Sequence, residues 1–229
     1  MRVSRFKRGW SMWSFLMLKG GVGKSKSAAY VATELARRGD EVLLIDGDPN
    51  TQGLTDHVTR LELDYPDYMI PWHFAQWTPA DGVPLVRFVP AQVERTGARR
   101  VVLDMASERY REAARAAMLS DLVLVPAGPW MEEQARIQPT MDVIRPHIPM
   151  DLSAVLLNRV DRPGIGHAAT YRASLTTKEP GRPAYQVLRT EVLKHRLYDT
   201  FGGPIIDTGS YVDVVDEMLM LEANYAPPA

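Results

Sequence analysis

Short, unbroken apolar runs recur along the chain, and stretches with helix-like spacing separate them. The runs are Phe15-Leu16-Met17-Leu18, residues 41–45, Val101-Val102-Leu103, residues 121–126 and residues 152–157. Continuous rather than alternating apolar strands are those covered on both faces, as in a parallel sheet. Between the first two runs, Ala28, Ala29, Val31, Ala32, Leu35 and Ala36 fall at helical intervals over residues 25–38, with Gly39 placed to end the helix. Further helices are predicted over about 108–119, 131–141 and 212–222. The alternation predicts an α/β fold, a mostly parallel twisted sheet with helices on both faces.

Other stretches are less regular. Residues 60–98 carry Pro66, Pro71, Pro79, Pro84 and Pro90 with Trp72 and Trp77, and read as irregular, with a short helix and a strand or two from Val83 to Val89. Residues 164–182 read as loop or short helix, Val187-Leu188 as the opening of a strand, and 191–201 as short helix or loop. Residues 1–13 read as a basic tail and 14–229 as a single domain.

The first strand–helix junction is Lys19-Gly20-Gly21-Val22-Gly23-Lys24-Ser25. Strand, Gly-rich turn and helix form the setting of a phosphate-binding loop. Its backbone N–H groups turn around a polyphosphate, and the helix N-terminus adds partial positive charge. Lys24 adds a full charge, and the Ser25 hydroxyl is placed to ligate Mg²⁺. Leu18 stands where the strict pattern has its first glycine, and an additional lysine, Lys19, follows it.

Two other strands end in carboxylates. The run at 41–45 leads to Asp46-Gly47-Asp48-Pro49-Asn50, and that at 101–103 leads to Asp104. Carboxylates at the C-terminal edge of a parallel sheet, where such folds bind ligands, are candidates for Mg²⁺ and water positioning. The strand at 152–157 ends in Asn158-Arg159-Val160-Asp161, whose amide and carboxylate could equally read a nucleotide base or simply begin a loop.

Composition narrows the class. The chain has 229 residues, 45% hydrophobic and 24% charged, as in an ordinary globular protein. Zero cysteines exclude disulfides, cysteine-ligated clusters and a cysteine nucleophile. No apolar run reaches the length of a membrane span, and no secretory leader is evident, so a cytoplasmic protein is expected. The net charge of −1 hides an asymmetry. Arg2, Arg5, Lys7 and Arg8 crowd the N-terminus, residues 159–196 hold eight basic residues against three acids, and 197–229 hold acids alone. Such a distribution suits a polyanion-binding face or a solvated one.

Taken in order, these segments resemble the ParA/MinD group of deviant Walker-A P-loop ATPases. Lys19–Ser25 is similar to the deviant loop with its additional lysine, Leu43–Pro49 to switch I, Val101–Asp104 to switch II, Ser120–Pro126 to the stretch "ADxVLxP", and Leu156–Asp161 to the adenine-side segment. Three positions depart from the pattern: Gln52 is displaced from Pro49, Lys26 replaces a small hydroxyl residue, and Met105-Ala106-Ser107 replaces a proline-containing segment. The resemblance implies slow, Mg²⁺-dependent ATP hydrolysis by a homodimer that sandwiches ATP. It places Lys19 across on the partner's phosphates, Lys24 on the β- and γ-phosphates and Asp48 on the attacking water. Ser25, Asp46 and Asp104 then form the metal shell, residues 19–26 cradle the phosphates, and Asn158 and Asp161 lie at the base. It further implies non-specific DNA binding through Arg189, Lys194 and Arg196, with Arg172, Lys178 and Arg182 as extensions. Release follows when a ParB-type centromere-binding partner stimulates hydrolysis, in a cytoplasmic, nucleoid-associated cycle of plasmid or chromosome partitioning. The membrane-bound branch ends in a basic amphipathic helix, whereas the closing helix here carries Asp213, Asp216, Glu217 and Glu222, so no membrane partner is expected. A related ATPase that positions a protein cargo, and a P-loop synthetase or kinase for a small metabolite, are the alternatives.

Overall fold

A computed structural model describes residues 8–48, 51, 53–107, 109–161, 166–180, 183–194 and 202–225. Six strands form one sheet in the order β3-β2-β4-β1-β5-β6, every neighbouring pair parallel. They are β1 (Ser11–Phe15), β2 (Val42–Gly47), β3 (His73–Gln76), β4 (Arg100–Met105), β5 (Leu122–Ala127) and β6 (Ser153–Leu157). The helices are α1 (Lys24–Arg37), α2 (Gly53–Asp64), α3 (Leu85–Thr96), α4 (Tyr110–Leu119), α5 (Met131–Ile144), α6 (His167–Thr176) and α7 (Tyr211–Tyr225). Every residue of β2 and β5 is buried, which is why these strands read as unbroken apolar runs.

The sheet is double-wound. From β1 the chain crosses to β2, and from β4 it crosses to β5, so connections leave the adjacent strands β1 and β4 in opposite directions. A crevice opens at such a switch point, outside the C-terminal ends of the strands. With right-handed crossovers, α1 and α2 cover one face and α3, α4 and α5 the other. Helix α7 packs on α1, where Tyr211 stacks on Tyr30 with ring centroids 5.1 Å apart.

Several boundaries differ from the sequence reading. Strand β1 starts at Ser11, inside the expected tail, because its ladder with β4 already pairs Ser11 with Arg100; Ser14, which interrupts the apolar run, is buried against Ser120 with the two hydroxyl oxygens 2.6 Å apart. Leu16–Leu18, expected as strand, are the buried exit from it. Arg8 also belongs to the fold: it pairs with Asp121 at 2.7 Å and donates to Leu119 O at 3.0 Å. Of residues 83–89, read as a short helix and a strand or two, Leu85–Val89 form the start of α3, and the strand of that region is β3, an edge strand in which only Ala75 is buried. Residues 187–193 form no ladder; they touch β6 at Val155/Val187 and its extension at Val160/Leu193.

Candidate functional site

The loop leaving β1 turns on two left-handed glycines, Gly21 (φ 73°) and Gly23 (φ 89°). Gly23 caps α1, and a Cβ there would lie 2.6 Å from Asn158 Nδ2. Position 23 must therefore be glycine on both backbone and packing grounds. Asn158, from the end of β6, donates to Val22 O and to Ser27 Oγ, both at 3.3 Å. The loop is thus fixed from the far side of the sheet.

Above the loop lies a cleft of about 500 Å³ lined by Gly20, Gly21, Gly23, Lys24, Ser25 and Lys26 from the loop and α1. Asp48, Thr51 and Gly53 close one side, Ser107 another, and Trp130, Asn158, Arg159, Leu193 and Lys194 the far end. The Lys24 ammonium donates to Lys19 O at 3.2 Å and to Ser107 Oγ at 2.8 Å. Burial pulls its pKa below the ordinary value, while Asp104 and Asp48 oppose that fall. It is a cation held ready at the floor of the cleft.

The three carboxylates have distinct environments. Asp104 is fully buried, and neither of its oxygens meets a donor at hydrogen-bonding geometry. Desolvation pushes its pKa up to about 7; Lys24 and the Ser25 hydroxyl hold it down, and Asp46 and Asp48 push it further up. Asp46 is also fully buried, but its oxygens accept from Asp48 N at 2.9 Å, Thr55 N at 2.9 Å and Thr55 Oγ1 at 2.7 Å. It ties the turn after β2 to the first turn of α2. Asp48 lines the cleft and accepts from Thr51 N at 3.2 Å and Thr51 Oγ1 at 2.8 Å.

This donor set fits Mg²⁺ held with a nucleotide. Among the described residues no cluster of three His, Asp or Glu side chains could hold a metal alone. Magnesium, however, usually takes one or two protein oxygens, substrate phosphates and water. An unsatisfied buried carboxylate at Asp104 beside Ser25 supplies such oxygens.

The structure brings Gly20, Gly21, Gly23, Lys24, Ser25, Lys26, Asp48 and Asn158 together at the cleft. Val22 is buried beneath it, with its carbonyl on Asn158. Lys19 is half-exposed and lies outside the lining of its own cleft, as does exposed Asp161. Lys194, expected on a DNA surface, is exposed and lines the far end of the cleft, where Lys194 N bonds to Val160 O at 2.9 Å. Arg189 is exposed, whereas Arg172 is consumed by Glu191 at 2.8 Å and by Leu188 O at 2.6 Å, so it does not extend a free basic face. Arg196 and Arg182 lie outside the described residues.

Sequence reasoning missed Thr51, Thr55, Ser107, Trp130 and Arg159 as parts of this site. Ser107 carried a signal, standing in a segment where the family pattern was broken. Trp130 and Arg159 carried none, because what unites them is tertiary: the Arg159 guanidinium sits 4.5 Å from the Trp130 ring centre and reaches Gly21 O at 2.8 Å.

A phosphate-type loop at the switch point of a double-wound parallel sheet, with a buried lysine and carboxylates at the strand ends, defines a P-loop nucleotide-binding protein of α/β class. The family model described as "CobQ/CobB/MinD/ParA nucleotide binding domain" matches residues 13–195, and the chain belongs to that family. Similar curated proteins include Protein ParA of Rhizobium radiobacter, 32% identical over 111 residues (48% of this chain, 46% of that protein). Another is the chromosome-partitioning ATPase Soj of Thermus thermophilus, 37% identical over 115 residues (48% of this chain, 43% of that protein). The matched region thus spans less than half the length of these relatives. Among solved structures, a putative plasmid partition protein of Borrelia burgdorferi bound to AMPPNP superposes with a TM-score of 0.67 at 14% identity (95% of this chain, 100% of that chain). The pNOB8 ParA bound to nonspecific DNA gives 0.64 at 15% identity (95% and 100%). At these identities the structural likeness speaks for the fold.

Proposed function

We propose that this chain is a ParA-type partitioning ATPase that hydrolyses ATP to ADP and phosphate with Mg²⁺, dimerises on ATP and binds DNA non-specifically in that state. A ParB-type partner ends the cycle by stimulating hydrolysis. The observation that carries the reading is the division of labour between two lysines. Lys24 lies buried at the floor of the cleft, and Lys19, its ammonium without a bonded partner among the described residues, stands outside its own cleft. A cation that stands beside its own site without lining it suits action on the nucleotide of a second subunit, which makes turnover depend on dimerisation.

In this mechanism the loop amides and Lys24 hold the β- and γ-phosphates, and Ser25 and Asp104 hold the metal. When bound, Mg²⁺ neutralises charge building on the phosphate oxygens. Asp48, its carboxylate fixed by Thr51, orients the water that attacks the γ-phosphorus while the bond to the bridging oxygen breaks. Asp46 holds Asp48 in place. Cations preorganised around developing charge lower the barrier without reorganising during the reaction. The DNA surface is assigned to Arg189 with its neighbours; Lys194 is reassigned to the nucleotide end of the cleft.

Two measurements test the reading. DNA binding is followed without nucleotide, with ADP and with a slowly hydrolysed ATP analogue across a salt series. Binding selective for the analogue and steeply salt-dependent is expected, and absence of DNA binding in every state would falsify the partitioning role. Asp48→Ala should still bind ATP yet turn over roughly a hundredfold more slowly, within the range for loss of a proton-handling group. A variant that no longer binds nucleotide would remove the role given to Asp48.

A further inference from the structure

The peptide group is planar and trans, so a carbonyl and the N–H that follows it point in opposite directions. In the phosphate loop two successive carbonyls are taken from one side: Gly21 O accepts from Arg159 Nη1 at 2.8 Å, and Val22 O accepts from Asn158 Nδ2 at 3.3 Å. The N–H groups of Val22 and Gly23 are thereby turned the other way, between two glycines of positive φ. Consecutive amides presented from such a turn form an anion-binding concavity.

Arg159 is held more firmly than a surface arginine. Nη2 pairs with both oxygens of Glu133, whose side chain is 7% exposed. Glu133 Oε2 also accepts from Gly128 N at 2.6 Å, which fixes it to the turn between β5 and α5. The guanidinium lies over Trp130, and Arg159 N donates to Asn158 Oδ1 at 2.8 Å. Arg159 itself has φ 57°, and among the described residues it is the non-glycine with positive φ. Side chains avoid that region, so the backbone here is held by its surroundings.

We infer that Arg159, anchored by Glu133 and Trp130, is a positioning residue that pins the Gly21 carbonyl and so presets the phosphate-loop amides for a nucleotide; the inference rests on the nucleotide-binding reading of the cleft. Glu133 balances the guanidinium charge, so the pair acts through geometry rather than as an additional cation on the phosphates. A carbonyl held by the protein's own side chains leaves less of the loop to be ordered on binding.

The test compares affinities for Mg²⁺–ADP and for a slowly hydrolysed ATP analogue in the wild type and three variants. Arg159→Gly removes the clamp and at the same time relieves the backbone, since glycine accepts positive φ. It should bind both nucleotides about tenfold or more weakly, as loss of a hydrogen bond from a charged donor predicts, and should melt below the wild type, because buried Glu133 loses its partner. Arg159→Lys keeps the charge without the fork and should fall between. Glu133→Gln removes the anchor and should weaken binding several-fold with native circular dichroism; it carries the test if Arg159→Gly does not fold. Wild-type affinity in Arg159→Gly, or in Glu133→Gln where the former does not fold, overturns the inference while leaving the nucleotide reading intact. A wild-type protein that binds neither nucleotide overturns both.

Discussion

Gly23 and Gly21 look alike in sequence and differ in what a methyl group would meet. At Gly23 a Cβ would strike the Asn158 amide, whereas nothing lies within 4 Å at Gly21. Both have positive φ. Gly21→Ala should therefore cost about 1–2 kcal/mol of backbone strain, and Gly23→Ala more than that, with loss of nucleotide binding as Asn158 is displaced. Urea unfolding of the two variants checks the order. His57 offers a test by pH. It is buried in α2, and burial, aided by the positive charge of Arg60, lowers its pKa to about 4 from an ordinary 6.5. The unfolded chain therefore binds a proton between pH 6.5 and 4 that the folded chain refuses. Stability should fall as pH drops through that window, by up to about 3 kcal/mol from this group. His57→Leu should flatten that part of a denaturation-versus-pH curve, and an unchanged slope would refute the assignment. At this scale the loop glycines and the strand-end carboxylates were legible, because their chemistry is local. Arg159 and Trp130 were not, since their partners come from separate loops.

Among the elements, α7 is where the expected and observed roles diverge most. Its acids suggested only a helix repelled by anionic surfaces. In the structure they are ties. Asp216 pairs with Arg38, Glu222 with Arg100, and Glu222 also accepts from Trp13 Nε1 at 3.2 Å. Glu217 accepts from the backbone N–H groups of Arg189 and Thr190, each at 2.6 Å. Glu217 thus secures the strand-like segment that delivers Leu193 and Lys194 to the cleft. Glu217→Ala should cost about 1 kcal/mol through the lost hydrogen bonds, since water can reach the freed amides, and raise hydrogen exchange at residues 189 and 190. Exposed Asp213→Ala should stay within about 0.5 kcal/mol. The strands of the buried sheet were legible because each is apolar on both faces. Strand β3 was not, since an edge strand of sequence His-Phe-Ala-Gln buries one side chain of four. Helix α3 misled through Pro84 and Pro90 around Leu85, Val86, Phe88 and Val89; Pro84 precedes its first residue, and Pro90 lies within it.

For the whole molecule, winding order sets where ligand can go. The strand order places β1 beside β4, and the loops leaving both open onto one crevice. The cleft is therefore built from residues 20, 21, 23–26, 48, 51, 53, 107, 130, 158, 159, 193 and 194. Nucleotide bound there joins parts of the chain that no covalent bond brings together, and it should stabilise the folded state by about 2.7 kcal/mol at a hundred times its dissociation constant. A thermal-shift titration with Mg²⁺–ADP checks this. On the proposed DNA surface, Arg189→Ala should leave that shift intact and, under the partitioning reading, reduce the salt slope of DNA binding by about one unit for each phosphate no longer neutralised. The fold class was legible because parallel sheets need both faces covered. The path of residues 187–194 was not, because two isolated bridges leave no periodic trace in sequence.

The cleft's composition also bears on synthesis. Its loop and first helix emerge early from the ribosome, but Asn158 and Arg159, which brace that loop, and Leu193 and Lys194, which close its far end, emerge much later. Chains are made from the N-terminus at about 5–20 residues per second, and a domain folds as a unit. The growing chain therefore passes several seconds with its glycine loop translated and its braces missing. Nucleotide capture then marks a late point in translation, and a chain cut short before residue 158 carries the motif without the pocket.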